Sequence, residues 1–390
     1  MRPSVLIGFA DALAGIESAW CLAEDGFEVH AFARRGSRPA LARVRCVRAV
    51  EVTRPEEDAP ACAAELGAIA RDIGAAAVLP LDDHAVWLCD HALQPDGPAV
   101  VAGPTGRLAT LALDKREQLL LAESSGLAVP PTAETGTVRS ERGPCMVKPA
   151  LAVELRGGRL QRAVGRIAAG PEQVADIAAA IGGPVLVQPL ISGRGEGVFG
   201  LALGGEATAL SGHQRVRMMN PRGSGSSACR PVPISADVTG PVRNMIARSG
   251  WHGLFMVELL RDTTRKPWFM ELNGRAWGSM ALARYCGYRY PTWAVRAALE
   301  EQFTPPEPSL PPDITARHLG REIVHLGTVL AHGGAPRLAT VRDILTVRRS
   351  DRWYNYRPGE PGVLIADTWA TVRGQVSPRI SRSRVAARDR

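Results

Sequence analysis

Apolar residues in the amino-terminal part of the chain fall into short runs separated by stretches with helical spacing. Residues 4–9 (SVLIGF) predict a strand, 15–24 a helix, and 27–33 (FEVHAFA) a second strand. Further strands are expected at 44–52, 76–81 and 99–102, with helices near 61–73 and over 83–93. Such alternation predicts parallel βαβ units and a small open α/β sheet. The first turn has Gly8 and Gly15 but no GxGxxG, and Arg34 and Arg35 stand where a ribose-binding acid would follow the second strand, so a nicotinamide dehydrogenase is weakly supported. Asp82 and Asp83 end a strand at the sheet's carboxyl edge, either as ligand contacts or as helix caps.

The middle of the chain changes character. One long helix is expected over 105–124, containing Asp114 and Lys115 and closed by Gly126. Residues 144–149 (PCMVKP) read as a strand with Lys148 inside it, and a lysine in an apolar run needs a partner, either a phosphate or a buried carboxylate. A hairpin-like piece turns at Gly157 and Gly158, a helix follows over 171–181, and a strand over 185–188 leads into Pro189, Leu190 and Ile191. A strand pair folded at Gly204 and Gly205 puts His213, Arg215 and Arg217 at alternate positions on one face, as a solvated surface or an anion receiver. The Gly/Ser loop 220–227 could serve as a lid or an anion cradle. Helices are expected over 277–286, 291–300 and 314–331, with prolines at 305–312 forming a stiff linker.

The hairpin at 253–279 (GLFMVELLRDTTRKPWFMELNGRAWGS) carries the sharpest pattern. Two apolar runs flank a polar turn, and a turn centred on Thr264 and Arg265 pairs residues whose numbers sum to 529, so Glu258 faces Glu271. Alternation puts Asn273 on the same side as Glu271. Like charges directly opposite destabilise a strand pair unless a cation lies between them. Two carboxylates and an amide suit Mg²⁺, with Mn²⁺ as an alternative.

Composition narrows the setting. The chain's 390 residues suit two or three domains, and the hydrophobic share of 45% is that of an ordinary globular protein. No apolar run reaches the roughly 18 residues of a membrane span, and the opening has no signal-peptide cleavage pattern, so a cytoplasmic protein without a membrane partner is expected. The seven cysteines have no CxxC spacing, which argues against structural zinc. Net charge is +8, but the stretch 378–390 holds five Arg and one Asp, so half the excess lies in a tail expected to be disordered; nucleic acid is not an expected partner. Only three of the 47 basic residues are lysine, at positions 115, 148 and 266. A lysine kept in such a chain is a candidate for work a planar guanidinium cannot do.

The landmarks Asp114-Lys115, Val147-Lys148-Pro149, Gln188-Pro-Leu-Ile191, Glu258 and Glu271-Leu-Asn273-Gly-Arg275 come in an order that resembles the ATP-grasp superfamily, in particular its carboxylate–amine ligases related to biotin carboxylase and the carbamoyl phosphate synthetase halves. The resemblance covers about residues 1–303. It implies an amino-terminal open parallel-sheet domain (1–113), an ATP-grasp domain (114–303), a linker (304–312), a small, mostly helical carboxy-terminal region (313–375) and the tail (376–390). It assigns Lys115 and Lys148 to ATP phosphates, Gln188, Pro189, Leu190 and Ile191 to the adenine, Glu196 to the ribose, Glu258, Glu271 and Asn273 to Mg²⁺, and Arg275 to charge developing on the phosphate or acyl group. Relatives often carry a glycine-rich flap after the second lysine and some an arginine where Met256 stands; this chain has only Gly157 and Gly158 in that flap, and His213 and Arg215 become the candidates for holding acyl-phosphate oxygens. The implied activity is ADP-forming ligation of a small carboxylic acid, such as an amino acid, to an amine; a phosphotransferase or a non-catalytic nucleotide-binding protein are the alternatives. A homodimer is compatible with this reading.

Overall fold

The computed structural model describes residues 2–93, 97–134, 143–221, 225–299, 303–306 and 313–386. The amino-terminal alternation forms β1 (Ser4–Gly8), α1 (Gly15–Glu24), β2 (Glu28–Arg34), β3 (Val47–Val52), α2 (Ala59–Asp72), β4 (Ala75–Pro80), α3 (Asp83–Ala92) and β5 (Val100–Val101). The strands pair in parallel in the order β3-β2-β1-β4-β5. Chain direction across the sheet reverses at β1, so the loops after β1 and β4 open a crevice at the strands' carboxyl ends.

The helix expected over 105–124 is two helices, α4 (Arg107–Leu113) and α5 (Lys115–Ser124). Asp114 breaks them apart: its backbone is extended, and its carboxylate accepts from the Arg116 N–H at 2.8 Å. Apolar spacing runs through both helices and does not register a cap inside the pattern. Lys115 thereby becomes the first residue of α5.

Next come β6 (Ala133–Glu134), β7 (Cys145–Pro149), β8 (Glu154–Arg156), β9 (Arg159–Gln161), β10 (Arg166–Ala168), α6 (Pro171–Ile181) and β11 (Val185–Pro189). Strands β10-β7-β11-β6 make a small antiparallel sheet. The β8–β9 hairpin turns at Gly157 and Gly158, both in the left-handed region that glycine tolerates. It docks on the amino-terminal domain, where the Gly158 carbonyl accepts from the Ala59 N–H and the Leu160 N–H donates to the Pro55 carbonyl, each at 2.8 Å.

The large sheet is built from β12 (Gly193–Leu203), β13 (Glu206–Met218), β14 (Ser226–Val232), β15 (Gly253–Asp262) and β16 (Pro267–Asn273), with α7 (Ala236–Ser249) against it. On β12 and β15, Phe199, Leu201, Leu254 and Met256 face the amino-terminal domain and share one core with Trp20 and Tyr290. Val198, Val257 and Leu259 face the opposite way, into a core with residues of α5 and α7. After α8 (Met280–Tyr285) and α9 (Tyr290–Leu299), the helix expected over 314–331 begins as a strand, β17 (Thr315–Arg317), followed by α10 (Leu319–His332), α11 (Arg337–Leu345), β18 (Asp351–Trp353) and α12 (Pro361–Ala386). Ile314 and Ala316 alternate into a cluster with Tyr354, so the segment is held as a strand between β14 and β18, extending the large sheet before helical periodicity takes over. The tail expected to be disordered from 376 instead continues α12 through Ala386, a helix anchored by packing on α10 and on the 3-10 turn at Ala40–Arg43. The core of the proline-rich linker (307–312), residues 222–224 of the Gly/Ser loop including Arg222, and the last four residues lie outside the described residues.

Candidate active site

The β15–β16 hairpin sets the site's geometry. Met256 pairs with Asn273 and Glu258 with Glu271, the expected register. Nearer the turn, Leu259 pairs with Phe269, a register one residue shorter. The turn therefore centres on Thr264, and a bulge at Met270 brings Glu271 opposite Glu258; without it Glu271 would oppose Val257 and point into the α5–α7 core. The Met270 carbonyl accepts a hydrogen bond from Lys148 Nζ at 3.3 Å.

Glu271 and Asn273 stand side by side, Asn273 Nδ2 donating to Glu271 Oε1 at 3.0 Å. Asn273 Oδ1 accepts from Arg275 Nη2 at 3.0 Å, and Arg275 Nε donates to Asp83 Oδ1 at 2.7 Å. Asp82, not Asp83, caps α3, by accepting from the Ala85 N–H at 2.8 Å. Burial alone would raise the Asp83 carboxyl, but Arg275 and Arg162 outweigh it and hold it at about 2. Burial also acts against the Glu271 carboxylate; Lys115, the Asn273 hydrogen bond and Lys148 together leave its pKa below the ordinary value. Lys148 is pushed down to about 8 by burial, against the pull of Glu271. Glu258 meets Arg215 Nη2 at 2.5 Å. A Cβ at Gly195 would lie 2.5 Å from Arg215 Cδ, so glycine there lets the arginine cross β12 to reach Glu258.

Among the described residues, no three His, Cys, Asp or Glu side chains gather into a metal-holding group. The set Glu258, Glu271 and Asn273 has two carboxylates and one amide, a sparse donor set of the kind Mg²⁺ completes with water and phosphate oxygens. Here the positive charge beside those carboxylates comes from Arg215, Lys115 and Lys148.

Gln188, Pro189, Leu190 and Ile191 form the passage from β11 of the small sheet to β12 of the large one. Gln188 is buried and donates to Thr132 Oγ1 at 2.8 Å, and the Leu190 N–H donates to the Pro144 carbonyl at 3.1 Å. Glu196 lies on the other pleat from Gly197, which pairs with Glu258, and is engaged by Arg261 at 2.6 Å.

A cavity of about 830 Å³ opens beside the carboxylates. Its walls come from three places: the loops after β1 and β4, the ends of the large sheet with Glu258, Glu271, Asn273 and Arg275, and the carboxy-terminal region with Arg321, Asn355 and Asp367. His213 and Arg215 both border it. His213 is not a cation, however: burial drives its pKa down to about 3, and its ring shares a hydrogen bond with Ser279 Oγ at 2.9 Å while stacking on Phe199. The ladder shifts register between Arg215 and Arg217, and Arg217 pairs instead with the buried Glu322 of α10. Arg230 is engaged by Gln214, so of the described arginines of β13 and β14, Arg215 is the one that borders the cavity.

Solved structures match this architecture. The biotin carboxylase domain of 2-oxoglutarate carboxylase from Hydrogenobacter thermophilus aligns with a TM-score of 0.58 at 17% identity, over 79% of this chain and 72% of that one. Biotin carboxylase from Campylobacter jejuni gives 0.58 at 15%, over 79% and 72%, and an L-amino acid ligase from Bacillus licheniformis 0.54 at 14%, over 77% and 74%. The chain has the ATP-grasp fold. No family model and no curated protein matches it. On this fold the small sheet carries Lys148 and the large sheet the acidic pair, and the β8–β9 hairpin reaches from the small sheet to the amino-terminal domain. Arg321, Asn355 and Asp367 carry no signal in the sequence: they lie far along the chain without a shared motif and reach the cavity because the carboxy-terminal region folds back over it.

Proposed function

We propose that the chain is an ATP-dependent ligase that joins a small carboxylic acid to an amine and releases ADP and phosphate. The observation that carries this reading is the Glu258–Glu271–Asn273 face, with Lys115 and Lys148 next to it, beside a cavity of about 830 Å³. A substrate carboxylate oxygen attacks the γ-phosphorus of ATP and ADP leaves. The amine nitrogen then attacks the acyl carbon, phosphate departs with the electrons of the C–O bond, and the nitrogen gives up its proton. Glu258, Glu271 and Asn273 would hold Mg²⁺, which when bound neutralises phosphate charge and aligns the oxygens for in-line transfer. Lys115 and Lys148 bind phosphate oxygens, Gln188 to Ile191 receive the base, and Glu196 at the cavity rim takes the ribose. Arg275, fixed by Asp83, keeps the Asn273 amide oriented and adds positive charge where the acyl phosphate forms. The relative crystallised with MgADP and bicarbonate supports a nucleotide and a small acid on this fold.

The test is ADP and phosphate release by the purified protein across panels of acids and amines. Release should require both an acid and an amine, and Glu271→Gln should lower it by at least about 100-fold while leaving the melting temperature within a few degrees of wild type. ADP release that needs the acid but ignores the amine would instead identify a phosphotransferase.

A further inference from the structure

The far wall of the cavity carries charged groups that the ligase reading leaves without work. Arg321, from α10, donates through Nη1 to the Ser226 carbonyl at 3.0 Å and lies within the electrostatic reach of both Arg215 and Asp367. A Cβ at Gly225 would come within 2.7 Å of that same nitrogen, so glycine there leaves the guanidinium its place. Asn355 is 1% exposed, yet neither its amide nitrogen nor its oxygen makes a hydrogen bond of good geometry among the described residues. Its backbone is pinned, with φ at +57° and its N–H donating to Glu17 Oε1 at 2.8 Å. Asp367, from α12, lies close enough to the Asn355 amide to feel it and 3.2 Å from His318 Nε2. A buried amide and a half-buried carboxylate facing a cavity are costly to leave unmatched.

We infer that the carboxy-terminal region builds a subsite for a zwitterionic α-amino acid, with Arg321 beside Arg215 taking the carboxylate and Asp367 with Asn355 taking the ammonium. This rests on the ligase reading and deepens it. Because Arg215 also touches Glu258, the bound carboxylate faces the phosphate end of the cavity. The amino acid is then the acid that is activated, and its own amine is held away from the reaction by Asp367.

Calorimetric titration of the full chain, with Mg²⁺ and a non-hydrolysable ATP analogue present, tests it. An α-amino-acid panel is compared with the matching acids that lack the amino group and with the matching carboxamides. At least one amino acid should bind about tenfold or more tightly than both analogues, the scale of one charge-assisted hydrogen bond. Asp367→Asn should reduce that amino acid to the affinity of its deaminated analogue, and Arg321→Gln should weaken amino acid and deaminated acid alike. Should Asp367→Asn fail to fold, Asn355→Gly, tolerated by the left-handed backbone, supplies the same arm. Equal binding of amino and deaminated acids, no amino-acid binding at all, or preserved discrimination in the Asp367 variant each overturns the subsite. Nucleotide binding in the same titration keeps the outcomes apart: an analogue that binds while discrimination is absent sinks the subsite alone, whereas absence of nucleotide binding sinks the ligase reading.

Discussion

At the scale of single residues, two groups are held against their ordinary protonation chemistry. Lys148 is half-buried beside the Met270 carbonyl and Glu271, in a chain with only two other lysines. A guanidinium is broader than an ammonium and presents a fork, not a point. Lys148→Arg should therefore keep the positive charge yet lower ATP turnover by about 100-fold; near-wild-type kinetics in that variant would reduce Lys148 to a general cation. Asp367 is the converse case, since burial raises its carboxyl to about 6. The folded state then holds that proton more tightly than the unfolded chain does. Stability contributed by the protonated form is present below about pH 4 and lost as pH climbs to about 6, after which the difference is flat. Asp367→Asn should accordingly be more stable than wild type at pH 8, by on the order of 2 kcal/mol, and no more stable at pH 4. Denaturant titrations of both proteins at the two pH values decide it, and equal stability at pH 8 would mean the carboxylate costs nothing to bury. A side chain that lowers stability at working pH while facing a cavity is accounted for by what it binds.

At the scale of elements, caps and bulges decide where the chemistry points. Asp114 ends α4 and starts α5, which sets Lys115 on the first turn of the second helix. Asp114→Ala should cost about 1 kcal/mol and raise the KM for ATP several-fold, whereas Asp114→Asn, also a good cap, should restore both. An unchanged KM in the alanine variant would separate the cap from the nucleotide site. These same elements show what could be read from the sequence. The parallel βαβ alternation and the Glu258–Glu271 pair were legible because both rest on local periodicity, the strongest signal a sequence carries. The pairing was reached through a turn placed one half-residue away from its true centre, and the bulge at Met270 compensated. A bulge is one unpaired residue with no composition of its own, so nothing in WFMELN marks it. Strict alternation places Arg217 with His213 and Arg215, and a second irregularity of register sends it to Glu322. His213 reads as basic from its type, while its charge depends on a burial that only the packed sheet supplies. Arg321, Asn355 and Asp367 stayed hidden because the contact between them and the carboxylates spans the length of the chain.

At the scale of the whole molecule, the cavity exists only where three parts of the chain meet. The Arg275–Asp83 pair ties the large sheet to the amino-terminal domain, the β8–β9 hairpin ties the small sheet to that same domain, and α12 lies across the remaining side. Lys115 and Lys148, the lysines proposed to bind the nucleotide, sit on α5 and β7, whereas Ala370, Thr371, Gly374 and Gln375 of α12 line the cavity itself. Bulk added to α12 should therefore separate nucleotide binding from substrate use. Gly374 is the position for it: a Cβ there meets nothing within 4 Å, and its φ is not among the positive values that only glycine adopts readily. Gly374→Phe replaces a poor helix former with a better one, so folding should not suffer. The aromatic ring would occupy space that the acid and amine need. The expected outcome is unchanged affinity for the ATP analogue, with acid- and amine-dependent ADP release reduced by about tenfold or more. If release continues at the wild-type rate, α12 is a cover and the substrates lie nearer the amino-terminal strands. If nucleotide affinity falls as well, the base and the substrates share one space, and the division of labour between α12 and the small sheet is wrong.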